Sequence, residues 1–479
     1  TGLMLRATTG ILSDRPNGTG KVSEKICLPC RESCNKPDIK PFRQEKNVKS
    51  KLLQHQFEAL SIDEKWDLKP HGRYFIEQDN SALIAFCMSS REPSIQTVMD
   101  KGVRLVCAHT DSPAFKVKPI AQMVNSDGYI RLNTQGYTWP ILSTWFDRPL
   151  SLAGRVALKG KSPFQPIIRL VDIEDPILII PNVAFHLTKG KTEGGISKQK
   201  EMLPIMGMSN KDMSENILFD LMAHKLNRSK EDILDYELYL YPIEKGRLVG
   251  VNSDFIVTPR QDDLVMVYAA LHALTDANSE LTKAKLPDVE AEIQLSDANT
   301  DDATRMIAFF DAEEETNSTL GGADTPLLRN VLTKVVKSIG GNEEDVIKLI
   351  NHSFAVSLDT SFAAHPNYME CSDPTCSPII NKGVVIKYDA NMHYATTAFS
   401  SAVFQEVCNR ENIPFQKAAA NSDLRTGGTI SAFMQTQVEI KCVEIGIPTW
   451  AMHSAYESCG TADLFYLIGA LKNFWLMHD

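Results

Sequence analysis

No apolar run in this sequence approaches the roughly 20 residues that a membrane-spanning helix needs. The most apolar stretches, such as Pro176 to Val183, end after a few residues, so a soluble protein with no membrane partner is expected. Basic residues are outnumbered as well, 50 Lys or Arg against 60 Asp or Glu. With a formal net charge of -10 no nucleic-acid partner is expected, because phosphate binding requires clustered Lys and Arg. A disulfide framework is missing too. The ten cysteines of the 479 residues are mostly single residues in apolar surroundings, such as Cys87, Cys107 and Cys442. That pattern predicts reduced core thiols in a reducing, cytoplasmic compartment. What is present is ample core material, 43% hydrophobic residues against 23% charged, enough for more than one domain. A small-molecule or peptide substrate suits this acidic balance.

The first 50 residues differ from the rest. They hold ten Lys or Arg against five Asp or Glu and no sustained periodicity, which predicts a basic, disordered extension over residues 1–50. The chain starts at Thr1 without an initiator Met and without the apolar centre of a signal peptide, as expected of a processed or truncated form. Cys27, Cys30 and Cys34 fall in a C-x-x-C-x-x-x-C cluster with no fourth ligand at a recognised spacing, so adventitious thiols are the better reading. From Leu52 onward, short β-rich runs alternate with helical patterns, the mark of an α/β domain. Between about Val124 and Gly250 the pattern changes to short strands and turns, including Leu152 to Leu158 and Ile167 to Val171. A β-rich insertion at 124–250 inside a discontinuous α/β domain of 51–123 and 251–479 follows. Helical periodicity resumes at Asp262 to Asp276, where Leu264, Tyr268, Leu271 and Leu274 share a face.

Four expected strands each lead into a metal-ligating residue. Val103 to Ala108 runs into His109-Thr110-Asp111, and Met306 to Phe310 into Asp311-Ala312-Glu313-Glu314. Phe354 to Leu358 runs into Asp359, and Ile447 to Ala451 into His453. Open parallel sheets build their sites at such carboxyl ends. Zinc accepts imidazole nitrogen and carboxylate oxygen, and two ions about 3.5 to 4 Å apart can share a bridging carboxylate and a water. The set suffices for two: Asp262 as bridge, His109 with Asp359 for one ion, Glu314 with His453 for the other. Asp111 is placed to orient the His109 imidazole. Glu313, beside a ligand, can take a proton from the attacking water and pass it to a leaving amine. Singly, each residue has an ordinary use as surface acid, core histidine or helix cap. Their convergence at strand ends is what points to chemistry.

At these residues the sequence resembles the aspartyl aminopeptidase family, the M18 group of metallopeptidases, from about Leu52 to the C-terminus. The matching segments are His109-Thr110-Asp111-Ser112-Pro113, Thr144-Trp145-Phe146-Asp147-Arg148 and Arg260-Gln261-Asp262-Asp263-Leu264. Phe310-Asp311-Ala312-Glu313-Glu314, His365-Pro366-Asn367-Tyr368 and Ala451-Met452-His453-Ser454 complete them in order. The resemblance implies a zinc-peptidase catalytic domain with a mostly parallel sheet, interrupted by a β-rich dimerisation domain. It implies the same five zinc ligands, with Glu313 as catalytic base; such His and carboxylate sites also accept cobalt or manganese. It further implies that Lys387 and Tyr394 contact substrate, and that His186 reaches from the inserted domain into a neighbouring subunit's site. Release of N-terminal Asp or Glu from peptides, by a homo-oligomer of dimers built into a dodecamer, is the implied function. A dizinc amidohydrolase or deacetylase of another substrate, or a non-catalytic oligomeric scaffold, are the alternatives. Two positions depart from the family pattern. Phe362 stands where a substrate-holding histidine is usual, and Tyr456 replaces a usual Arg.

Overall fold

The computed structural model describes residues 40–89, 95–187, 195–209, 216–275, 303–424 and 426–477. Most of the basic extension, with its Cys27, Cys30 and Cys34 cluster, lies outside the described residues. Its expected boundary at residue 50 does not hold. Helix Lys40–Gln54 crosses that point and buries Val48 and Leu52 against Phe57, Phe75 and Leu83. The apolar positions 48 and 52 are one helical turn apart, a pair too short for periodicity to reveal in a Lys-rich stretch.

A nine-stranded mixed sheet forms the centre. Its four middle strands, Thr304–Phe310, Val103–His109, Phe354–Leu358 and Lys441–Gly446, pair in parallel. They read as nearly unbroken apolar runs because both faces of the sheet are covered. Alternate residues serve opposite faces, as the pleat requires. Val106, Ala108, Ile307, Phe309, Val356 and Leu358 pack under helices Gln261–Thr275, Ala398–Arg410 and Thr461–Leu476. Leu105, Cys107, Met306, Ala308 and Phe310 pack under helices Leu327–Ser338, Glu343–His352 and Ile430–Val438.

The second sheet has six antiparallel strands. Its central strands are Leu150–Leu158, Ile233–Pro242 and Ala114–Val124, packed against helix Ile217–Leu226 in a separate apolar core. This β-rich unit takes in the whole of Ala114–Val124, so it starts about ten residues before the expected boundary at 124. A third sheet of five short strands includes Pro448–Trp450 and Ser361–Phe362. The strand expected at Ile447 to Ala451 is thereby corrected. The central-sheet strand ends at Gly446, Ile447 breaks the run, and Pro448–Trp450 enters the third sheet. Among the described residues the seven cysteines are free and five of them are buried. No described helix is long and apolar enough to cross a membrane.

Candidate active site

The parallel register sets His109 level with Phe310, so the segments that follow, His109 to Asp111 and Asp311 to Glu314, emerge side by side at the carboxyl edge. Asp359 leaves the next strand at the same edge. Asp262 sits at the head of helix Gln261–Thr275 in a non-helical conformation that directs its carboxylate to this edge. His453 reaches the same place from the third sheet.

The Asp262 carboxylate lies between the two histidines. Its Oδ1 is 3.4 Å from His109 Nε2 and its Oδ2 is 3.6 Å from His453 Nε2. His109 Nε2 is also 3.9 Å from an oxygen of Asp359 and 3.9 Å from one of Glu313. His453 Nε2 is 3.2 Å from Glu314 Oε2. Two clusters able to hold a metal result, His109, Asp262, Asp263 and Asp359 on one side and Asp262, Glu314 and His453 on the other, each with its ligand atoms within 4.8 Å of one another. Asp262 belongs to both.

Backbone amides fix the carboxylates. Asp111 accepts from the Glu313 and Glu314 N–H groups, each at 3.1 Å, and lies 3.4 Å from His109 Nδ1. Glu457, 1% exposed, accepts from the N–H groups of Asp262 at 3.0 Å and His453 at 2.7 Å. Asp263 accepts the N–H of His109 at 3.1 Å. Asp263 and Glu457 carried no role in the sequence reading. The doubled Asp262-Asp263 was a signal for the first. Glu457 closes the Met452 to Glu457 run in which Tyr456 departs from the family pattern, but that run by itself assigns it no role.

Buried carboxylates without cations are costly, and the site has many. Burial would strip the proton from His109, yet the surrounding Asp263, Asp111, Asp262 and Asp359 outweigh it and raise its pKa well above the ordinary value. Burial pushes Glu313 and Glu314 well above the usual carboxylate range, and neighbouring acids push the same way. Asp359 is held below that range against burial by Lys387, whose Nζ is 2.8 Å away. Asp262 Oδ1 and Glu314 Oε1 are buried and make no hydrogen bond. Carboxylate oxygens left bare beside imidazole nitrogens are the donor set that zinc takes. The residues therefore fit a metal.

A cavity of about 880 Å³ opens onto this cluster, and Lys387, Tyr394 and Phe362 line it. Lys387 is 5% exposed, gives a second bond to the Thr360 carbonyl at 3.0 Å and stands 4.7 Å from the centre of the Tyr394 ring. His186 does not line the cavity of its own chain; it lies on the exposed turn Phe185–Leu187. Tyr456 lies outside the cavity as well. Its hydroxyl bonds to the Lys245 carbonyl and Arg148 lies over its ring, so this substitution does not lower the positive charge of the pocket.

Residues 38–475 match the family model described as aminopeptidase I zinc metalloprotease (M18). A probable M18 family aminopeptidase 2 of Clostridium acetobutylicum is 40% identical over 437 residues, covering 91% of this chain and 95% of its own length. Among solved structures, a chain of the Ape4 and Nbr1 complex is 27% identical, superposes with a TM-score of 0.86, and is covered over 90% of its length by 97% of this chain. The Saccharomyces cerevisiae mApe1 dodecamer, at 21% identity and a TM-score of 0.76, shares the fold over 95% of this chain and 96% of its own. The chain thus belongs to the M18 family of zinc metallo-aminopeptidases.

Proposed function

We propose that the protein is a dizinc aminopeptidase that removes an N-terminal acidic residue from peptides. The observation that carries the two-metal reading is the placement of Asp262, with one oxygen toward each histidine. His109 and Asp359 would hold one ion and Glu314 and His453 the other, with Asp262 shared. Bound zinc supplies Lewis-acid polarisation of the scissile carbonyl and acidifies water. The chain's own residues do the rest. Glu313, on the amide-fixed turn, takes a proton from the attacking water and delivers it to the departing amine. Asp111 holds that turn in place, and Tyr394 and Lys387 meet the substrate in the cavity.

The acidic preference rests on Lys387. An ammonium has three N–H donors; Asp359 and Thr360 take two, and the third remains for a substrate carboxylate. Desolvating that carboxylate without a cationic partner would be unfavourable. The test is kcat/KM across peptide-like substrates with Asp, Glu, Ala, Leu or Lys at the N-terminus. Asp and Glu should lead, and Lys387→Ala should erase most of their advantage. Because Lys387 also holds Asp359, that variant should lose rate on every substrate, so the ratio is the quantity to read. A preference for neutral or basic residues would defeat the acidic assignment. Blocking the α-amino group should abolish cleavage, whereas a deacetylase or amidohydrolase would not require it.

Assembly into dimers through the inserted β-rich unit, and from dimers to a dodecamer, is proposed for the same protein. Supporting it are exposed apolar side chains on that unit, with Phe164 97% and Ile120 87% exposed. His186 would then meet a neighbouring subunit's cavity from its exposed turn. Sedimentation at micromolar concentration should give a mass about twelve times that of the chain, and a monomer would refute it.

A further inference from the structure

The strand Tyr129–Tyr137 belongs to the inserted sheet, yet its last residue touches the catalytic cluster. The Tyr137 hydroxyl donates to Asp111 Oδ2 at 2.7 Å. That same oxygen accepts the N–H of Glu314, while Asp111 Oδ1 accepts the N–H of Glu313. The chain then runs on across the site. The Thr138 N–H donates to Glu315 Oε1, the Trp139 carbonyl is 3.3 Å from His453 Nδ1, and the Ile141 N–H donates to the His453 carbonyl at 2.9 Å. Farther along, Thr144 Oγ1 accepts the Ala455 N–H at 2.9 Å. A single segment of the inserted unit therefore holds both the turn that carries Glu313 and the turn that carries His453.

An ionised carboxylate needs several donors to keep one orientation in a buried place. Asp111 is 1% exposed, and both of its oxygens are engaged. Without the phenol, Oδ2 would lose an O–H donor that helps to set its orientation. The carboxylate could then rotate, and the amides of Glu313 and Glu314 would follow it. Displacements of this size matter, because a misplacement of about 1 Å in a catalytic group can cost about 100-fold in rate. The Tyr137 ring is held independently of its hydroxyl, by an edge-on contact with Tyr239 at 6.1 Å and 74°.

We propose that Tyr137 is a positioning residue for the hydrolytic reaction, acting through Asp111 on the turn that carries Glu313 and on His109. The inserted unit is thereby part of the catalytic apparatus of its own chain, apart from any contact between subunits. This rests on the reading of Glu313 as the base, and the experiment separates the two.

Tyr137→Phe removes one oxygen and leaves the ring contact in place, so the variant should fold. With full-length protein saturated with zinc and an Asp amide substrate, kcat should fall about tenfold while KM stays within about twofold, the lower end of what loss of a ligand's supporting partner costs. Zinc affinity, read by chelator competition in the absence of substrate, should weaken by about threefold or more, since Asp111 also faces His109. In an Asp111→Asn background the Tyr137→Phe change should add less than about twofold to either loss. An unchanged kcat and zinc affinity in Tyr137→Phe would overturn the proposal. So would losses that multiply with those of Asp111→Asn, because Tyr137 would then act by another route. If Tyr137→Phe does not fold, Asp111→Asn alone should still lower kcat at constant KM and weaken zinc binding; if it does neither, the route through Asp111 is refuted. Glu313→Gln measured alongside keeps the two readings apart: near-normal turnover there defeats the base assignment whatever Tyr137 does.

Discussion

Glu313 and Glu314 are adjacent and identical, with side chains 9% and 5% exposed, and only their surroundings divide their work. Glu314 faces His453 and the shared Asp262; Glu313 faces His109, and both line the cavity. Glu313→Gln should therefore keep its zinc and lose at least ~100-fold in kcat, the scale of a lost general base. Elemental analysis and turnover on the same sample check this. Asp262→Ala should instead lose zinc, since no other described carboxylate belongs to both clusters, and unchanged metal content would contradict the bridge. Phe362 is 56% exposed on the cavity wall. Phe362→His should widen the ratio of kcat/KM for Asp over Leu by adding a donor where the wall is now apolar, and an unchanged ratio would remove that position from specificity. The sequence exposed the candidate ligands because zinc demands particular side chains. It concealed Glu457 and Tyr137, because a supporting contact needs only a donor or acceptor within reach, and many residue types supply one.

Elements were legible in proportion to their burial. Phe354–Leu358 has the bounds that its apolar run predicts, because a central parallel strand is apolar on both faces. Helix Lys40–Gln54 went unread, since its buried Val48 and Leu52 stand in a stretch dominated by charged and polar residues. Leu52 is fully buried, so Leu52→Ala should cost about 2–5 kcal/mol, read by denaturant unfolding with unchanged slope. Deletion of residues 1–37, which precede the family match, should leave kcat/KM intact. Deletion through residue 53 should lower the unfolding temperature, as the core against Phe57 and Phe75 would lose Val48 and Leu52. The sheet switch at Ile447 was also hidden. Ile447 to Ala451 has the composition of one strand, and the turn between two sheets is imposed by what each half pairs with.

At the scale of the molecule, the cluster concentrates negative charge that the protein alone does not neutralise. Chelation should therefore abolish activity and also change stability, because a ligand bound to the folded state stabilises it by mass action, by about 4 kcal/mol at a thousand times its dissociation constant. A thermal scan with and without chelator should show a lower unfolding temperature without metal, restored by added zinc, and an unaltered scan would separate the site from stability. Chain order alone pointed to residue types able to ligate zinc, to His109 and Asp359 at the ends of apolar strands and to a β-rich stretch in the middle of the chain, because ligand chemistry and apolar periodicity are local properties. Tertiary structure alone decided which of those residues meet. His109, Asp262, Glu314 and His453 span most of the chain, and their separations of a few ångströms depend on strand register and on a turn between two sheets. The same is true of Tyr137, which reaches Asp111 because the inserted sheet folds back onto the catalytic edge. That approach comes from packing between distant segments, which no short stretch of sequence encodes.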